Sequence, residues 1–179
     1  MTIAPIETTP YASRGVDVNG LDCFPTGIAV AGVQQPAVKG SVAGGATLTL
    51  VEATHNGKII NLDTAAGTIV TLPASTGNGA KYRFRVSVLA TTNSHIVKAG
   101  GTADSLEGVL FSMDDTSANG VAFAAVAGTD DTITLNRTTT GSVTVGEYFE
   151  LEDVVSGRFL VRGGITNTGT PATPFSATV

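Results

Sequence analysis

Four acidic residues crowd one aromatic pair: Glu147, Glu150, Glu152 and Asp153 surround Tyr148-Phe149. Paired carboxylates can perform general acid–base chemistry, which needs a cleft and a shifted pKa on one of the two groups. The same residues also read as a strand, because Phe149 and Leu151 alternate with Glu150 and Glu152, and the polar face of an edge strand accounts for them more simply. Asp114-Asp115 and Asp130-Asp131 could offer oxygens to Ca²⁺. The spacing of a dedicated calcium loop is missing, however, and both pairs suit the starts of turns. His55 and His95 flank polar, turn-like stretches, and Cys23, beside Phe24 and Pro25, reads as a small buried hydrophobe. Phosphate-binding, dinucleotide-binding, nucleophile-elbow and zinc-protease motifs do not occur. These residues lead us to expect no catalytic residue, metal site or cofactor, and a protein that is not an enzyme.

One charged feature points outward instead. In residues 81–88, Tyr82, Phe84, Val86 and Val88 fall on one face of a strand, and Lys81, Arg83 and Arg85 fall on the other with Ser87. The basic stripe reads either as a contact for an acidic patch on another protein or as the solvated side of a half-buried strand.

The elements that must carry these residues follow from composition. The 179 residues include 22 Gly and 7 Pro, which is dense punctuation for long helices, and only 14% are charged against 42% hydrophobic, which excludes a solvated disordered chain. A net charge of −5 with ten dispersed Lys and Arg argues against nucleic acid and against anionic membranes as partners. A lone cysteine cannot crosslink the chain internally. The opening residues lack the pattern of a secretory leader and no apolar run reaches membrane-spanning length, so the expectation is a soluble protein made in the cytoplasm of its cell.

Two textures divide the chain. Residues 1–45 carry Pro5, Pro10, Pro25 and Pro36 among seven glycines, and neither a helical nor a strand period survives that spacing. Ile3, Ile6, Tyr11, Val16, Val18, Leu21, Phe24, Ile28, Val30 and Val33 nevertheless all need burial. An irregular apolar segment of this length is best explained as an extended arm that docks on another chain, with folding back on its own domain as the alternative. Residues 46–179 read as a β domain. Runs at 46–54, 58–63, 68–72, 81–88, 95–99, 109–113, 121–127, 132–136, 142–145, 148–151 and 158–161 are strand-like, and the tail from 163 is expected to be extended. Asn56-Gly57 reads as a type I′ hairpin turn. The predicted fold is all-β, an antiparallel sandwich or barrel, jelly-roll-like arrangements included, with an extended, irregular N-terminal arm.

The stretch Thr54-His55-Asn56-Gly57-Lys58-Ile59-Ile60-Asn61-Leu62-Asp63, the run Gly67-Thr68-Ile69-Val70-Thr71-Leu72-Pro73 through Gly77-Asn78-Gly79, and Tyr82-Arg83-Phe84 resemble the β domain of small head decoration, cement or head-fibre proteins of tailed bacteriophages. The ending Thr170-Pro171-Ala172-Thr173-Pro174-Phe175 is similar to tails of the same group, so the resemblance covers residues 46–179. It implies a virion structural protein on the outer capsid surface, a homotrimer at threefold positions whose partner is the major capsid protein. Host-surface glycan binding by a head or tail fibre, or a place in the tail or neck, are the alternatives.

Overall fold

The computed structural model describes residues 22–24, 27–30, 33–36 and 40–178. The chain divides into two compact units, residues 1–40 and 41–179. In the first, β1 (Asp22–Phe24), β2 (Gly27–Val30) and β3 (Val33–Pro36) form an antiparallel three-stranded sheet, with Cys23 opposite Ile28 and Ala29 opposite Gln34. Strands thus occupy part of the segment read from sequence as irregular. Each of these strands is only three or four residues long and two residues separate one from the next, too short a run for a period to stand out. Of the ten predicted docking residues, Phe24, Ile28, Val30 and Val33 belong to these strands. Ile3, Ile6, Tyr11, Val16, Val18 and Leu21 lie outside the described residues.

The second unit starts five residues earlier than the composition break suggested, because β4 (Ser41–Ala43) is already part of its sheet. It continues with β5 (Thr47–Thr49), the short helix α1 (Glu52–His55), β6 (Ile59–Leu62), β7 (Ile69–Thr71), β8 (Lys81–Val86) and β9 (His95–Lys98). Then follow β10 (Ser105–Asp114), β11 (Gly120–Ala124), β12 (Thr132–Leu135), β13 (Tyr148–Val155), β14 (Arg158–Asn167) and β15 (Phe175–Ser176). They build two sheets packed against each other, one in the order β11-β10-β14-β13-β8-β6-β4 and the other β15-β12-β9-β7-β5. The all-β sandwich matches expectation; its sheets are mixed, not purely antiparallel.

The parallel pairs come from a coil. From β4 to β9 consecutive strands alternate between the two sheets, so β4, β6 and β8 run parallel in one, and β5, β7 and β9 run parallel in the other. Each return trip adds one rung to both sheets. This overturns the Asn56-Gly57 hairpin. Asn56 has φ −56° and ψ 128° and Gly57 has φ +75°, the geometry of a type II turn that needs only its second residue left-handed. It follows α1 and carries the chain from one sheet into the other, and Gly57 N–H donates to the Lys81 carbonyl at 2.7 Å, fixing the corner to the start of β8. The expected strand at 142–145 is likewise a loop, with Ser142 at φ +59°.

The inward faces form one core: Tyr82, Phe84 and Val86 of β8, Phe149 and Leu151 of β13, Phe159 and Val161 of β14, against Val70, Val97, Ile133 and Leu135 of the smaller sheet. Phe84 and Phe149 are direct cross-strand partners whose rings stack at 4.9 Å, a contact worth about 1 kcal/mol beyond the area it buries.

Candidate functional site

The register of the larger sheet places chemistry on its outer face. Because side chains alternate, Lys81, Arg83 and Arg85 of β8 point away from the core, as the sequence indicates. Their neighbours were not legible. In β13, Glu150 lies opposite Arg83 on one side and Arg162 of β14 on the other. Arg83 Nε donates to Glu150 Oε2 at 2.8 Å and Arg162 Nη2 to Glu150 Oε1 at 2.5 Å. Arg162 also reaches Glu152 at 3.2 Å, and Lys81 meets Glu152 at 3.3 Å. Arg85 donates twice to Asn61 Oδ1, at 2.7 and 3.2 Å, and Arg158 pairs with Glu107 at 3.1 Å.

The basic stripe is thus one side of a cross-strand ladder. β13 is a central strand, so its alternating acids are matched by arginines on both flanks and do not mark an edge. The face holds Lys81, Arg83, Arg85, Arg158 and Arg162 against Glu107, Glu150 and Glu152, an excess of two positive charges in a chain whose net charge is −5. Such a face favours contact with a mildly acidic surface.

Beside the ladder the face becomes apolar. One cross-strand row reads Ala122, Phe111, Gly164, Tyr148. Phe111 is 64% exposed and Tyr148 41%, and the space where a Cβ on Gly164 would stand is open, so the two rings flank a shallow slot. Met113, 52% exposed, continues the patch toward the rim.

The remaining acids of the predicted cluster face elsewhere. Asp153 points inward, where Ser75 Oγ–H donates to its Oδ1 at 2.6 Å, Gly77 N–H to Oδ1 at 2.8 Å and Thr76 N–H to Oδ2 at 2.9 Å. Glu147 precedes β13 and accepts from the N–H groups of Ser142, Val143 and Thr144 at 2.7 to 2.8 Å. Each buried carboxylate therefore ties down one loop. His95 is also buried, accepting from Thr68 N–H at Nδ1 and donating from Nε2 to the Val88 carbonyl, which fixes it as the neutral Nε2–H tautomer. His55 sits in α1, its Nδ1 within 2.8 Å of Val51 N–H. Asp114-Asp115 and Asp130-Asp131 stay apart, and among the described residues no group of three His, Cys, Asp or Glu could hold a metal.

These environments set a pH dependence. Burial lowers the His95 pKa below its ordinary 6.5, so its contribution is complete above that value and declines as pH falls toward the folded-state value. Burial alone would raise Glu150, but hydrogen bonds from Arg83 and Arg162 outweigh it and hold the carboxyl below 4.5. Asp153 behaves alike: burial raises it, while Ser75 and the Thr76 and Gly77 N–H groups bring it below 3.8. Both contributions are complete above the unfolded-state values and are lost as pH falls through the folded-state ones. Glu147 has the opposite sign, because burial pushes it up more strongly than its N–H donors pull it down. Melting temperature should therefore be flat from about pH 6.5 to about pH 9. Below about pH 6.5 it should show only the gentle decline left after the Glu147 gain offsets part of the His95 loss, and below about pH 4 it should decline steeply. Above about pH 10 it should fall again, because burial pushes the Tyr82 hydroxyl up to about 12. In a pH series of thermal melts, His95→Gln should remove the first decline and leave the second.

No protein-family model matches the sequence, and no curated protein matches it.

Proposed function

We propose that this chain is a virion structural protein, a decoration or cement protein that binds the outer surface of an assembled phage head and stabilises it by clamping adjacent major capsid subunits, as a trimer at threefold positions. The observation that carries the reading is the use of the buried acids. Asp153, Glu147 and Glu150 are each engaged in holding a loop or a strand pair, and what the module turns outward is a rigid face of paired charges beside an apolar patch. Such a face suits a protein surface. The resemblance across residues 46–179 supplies the partner. A protein that binds only the assembled lattice lowers its free energy by mass action, and three linked copies raise one another's effective concentration.

The test is sedimentation with purified capsid shells. The full chain should co-sediment and raise the shell's melting temperature. Deleting residues 1–40, which leaves β4 in place, should keep the β-sheet circular dichroism and abolish binding. Undiminished binding by that variant removes the arm from the mechanism, and no binding by the full chain removes the capsid reading.

One observation favours a second reading, host-surface glycan binding. Phe111 and Tyr148 are aromatic rings outside the core that flank the open position at Gly164, and sugar rings stack on exposed aromatics. Glycan binding lost in Phe111→Ala, with no affinity for shells, would put this reading first.

A further inference from the structure

The larger sheet ends at β11, and among the described residues no strand pairs with that edge. Natural edge strands are blunted by lysine, proline, bulges or brevity. β11 has none of these. It pairs with β10 over five consecutive positions without a shift, Val109 to Ala124 through Met113 to Gly120. Residues 118–127, Ala-Asn-Gly-Val-Ala-Phe-Ala-Ala-Val-Ala, contain no charge, in a chain carrying 15 Asp and Glu. The opposite edge, β4, is only three residues long.

We propose that β11 pairs with β11 of a second copy, antiparallel about a twofold axis through Ala122, joining two seven-stranded sheets into one.

Three features select a second copy as the occupant. The strand is self-complementary about Ala122: Val121 falls opposite the partner's Phe123, and Gly120 opposite the partner's Ala124, so each β-branched residue meets an aromatic one and each small residue meets a small one. The outer face is complementary too. The row through the axis reads Phe111, Ala122, Ala122 of the second copy, Phe111 of the second copy, two exposed rings with an alanine floor between them. Met113 already leans over the edge, since a Cβ on Gly120 would stand 2.9 Å from its sulfur. Electrostatics agree, because two chains of net charge −5 repel over most of their surfaces and this ten-residue strip is a place where they meet without opposing charges.

The pairing does not rest on the capsid reading. It is also compatible with a trimer built through other surfaces, since three outward-facing β11 strands could each join a neighbouring trimer across a twofold axis.

Cysteine crosslinking of the full chain tests it. In a Cys23→Ser background, Ala122→Cys places two thiols across the axis, where paired strands bring Cα atoms to about 4.5–5.5 Å, within disulfide range. Under mild oxidation Ala122→Cys should form a disulfide-linked pair at least about tenfold faster than Val126→Cys, which is exposed but outside the pairing. Separately, Ala122→Lys sets two ammonium groups against each other, and sedimentation equilibrium should show self-association weakened about tenfold or more. Val126→Cys crosslinking as fast as Ala122→Cys overturns the proposal, as does a wild-type chain without any association step at concentrations up to about 1 mM. An Ala122→Lys variant that self-associates normally but loses binding to another protein assigns the edge to that protein and overturns it as well.

Discussion

Asp153→Ala is expected to lower unfolding free energy by about 3–5 kcal/mol in urea denaturation, one of the two largest single effects in this chain. The carboxylate is almost fully buried and takes three donors from the loop after β7: the Ser75 hydroxyl and the Thr76 and Gly77 N–H groups. Alanine leaves the Thr76 and Gly77 N–H groups without their acceptor, while the Ser75 hydroxyl keeps the Val155 and Arg158 carbonyls at 2.9 and 3.2 Å. The Ser75 oxygen also accepts from Arg158 N–H at 3.0 Å, so the loss spreads to the start of β14. Asp153→Asn keeps one acceptor oxygen and should lose about half as much. It should also make the decline below about pH 4 shallower, because a group whose folded-state pKa lies below its unfolded one has been removed. Equal losses for Ala and Asn, with an unchanged acid limb, would show that packing and not the carboxylate holds the loop.

Gly108→Ala is expected to cost about 4 kcal/mol or more, or to prevent folding. Gly108 lies within β10 at φ +119°, a conformation that side-chain-bearing residues rarely adopt. A Cβ there would also meet the backbone carbonyl oxygen of Val161, its partner in β14. A backbone atom in the middle of the sheet cannot rotate aside as a flexible side chain would. Gly128→Ala separates the two causes, because Gly128 has φ +73° and open space around its Cβ position. It should cost only about 1–2 kcal/mol, the left-handed penalty alone. Chemical denaturation of both variants gives the comparison, and a Gly108 variant no worse than Gly128→Ala would mean that β10 and β14 can separate at little cost.

The sequence showed the strands where their period was clean. In β8 the inward Tyr82, Phe84 and Val86 and the outward Lys81, Arg83 and Arg85 follow from alternation alone. It did not show what those arginines face, since Glu150 is 67 residues from Arg83 and cross-strand register is not written locally. Glu150 and Glu152 looked like an edge because an unpartnered polar face and an ion-paired one have the same local pattern. Asp153 continues the inward parity of Phe149 and Leu151, which was the available signal that it leaves the polar face. The Asn56-Gly57 pair marked a real turn but misplaced its strands, because a type II turn and a hairpin turn both favour that dipeptide. The coil escaped for a related reason. Its rungs repeat in space, while the spacing between successive strands is too uneven to register as a sequence repeat.

That coil also governs how the domain can come apart. Between β4 and β9 neither sheet is contiguous in sequence, so each layer receives its next strand only after the chain has passed through the other. The chain works as stitching does through two pieces of cloth: each pass crosses the core and is held by the pass before it. Two layers joined in this way are tied by a chain crossing at every pass, and the free ends of the stitching are the places from which it can be drawn out.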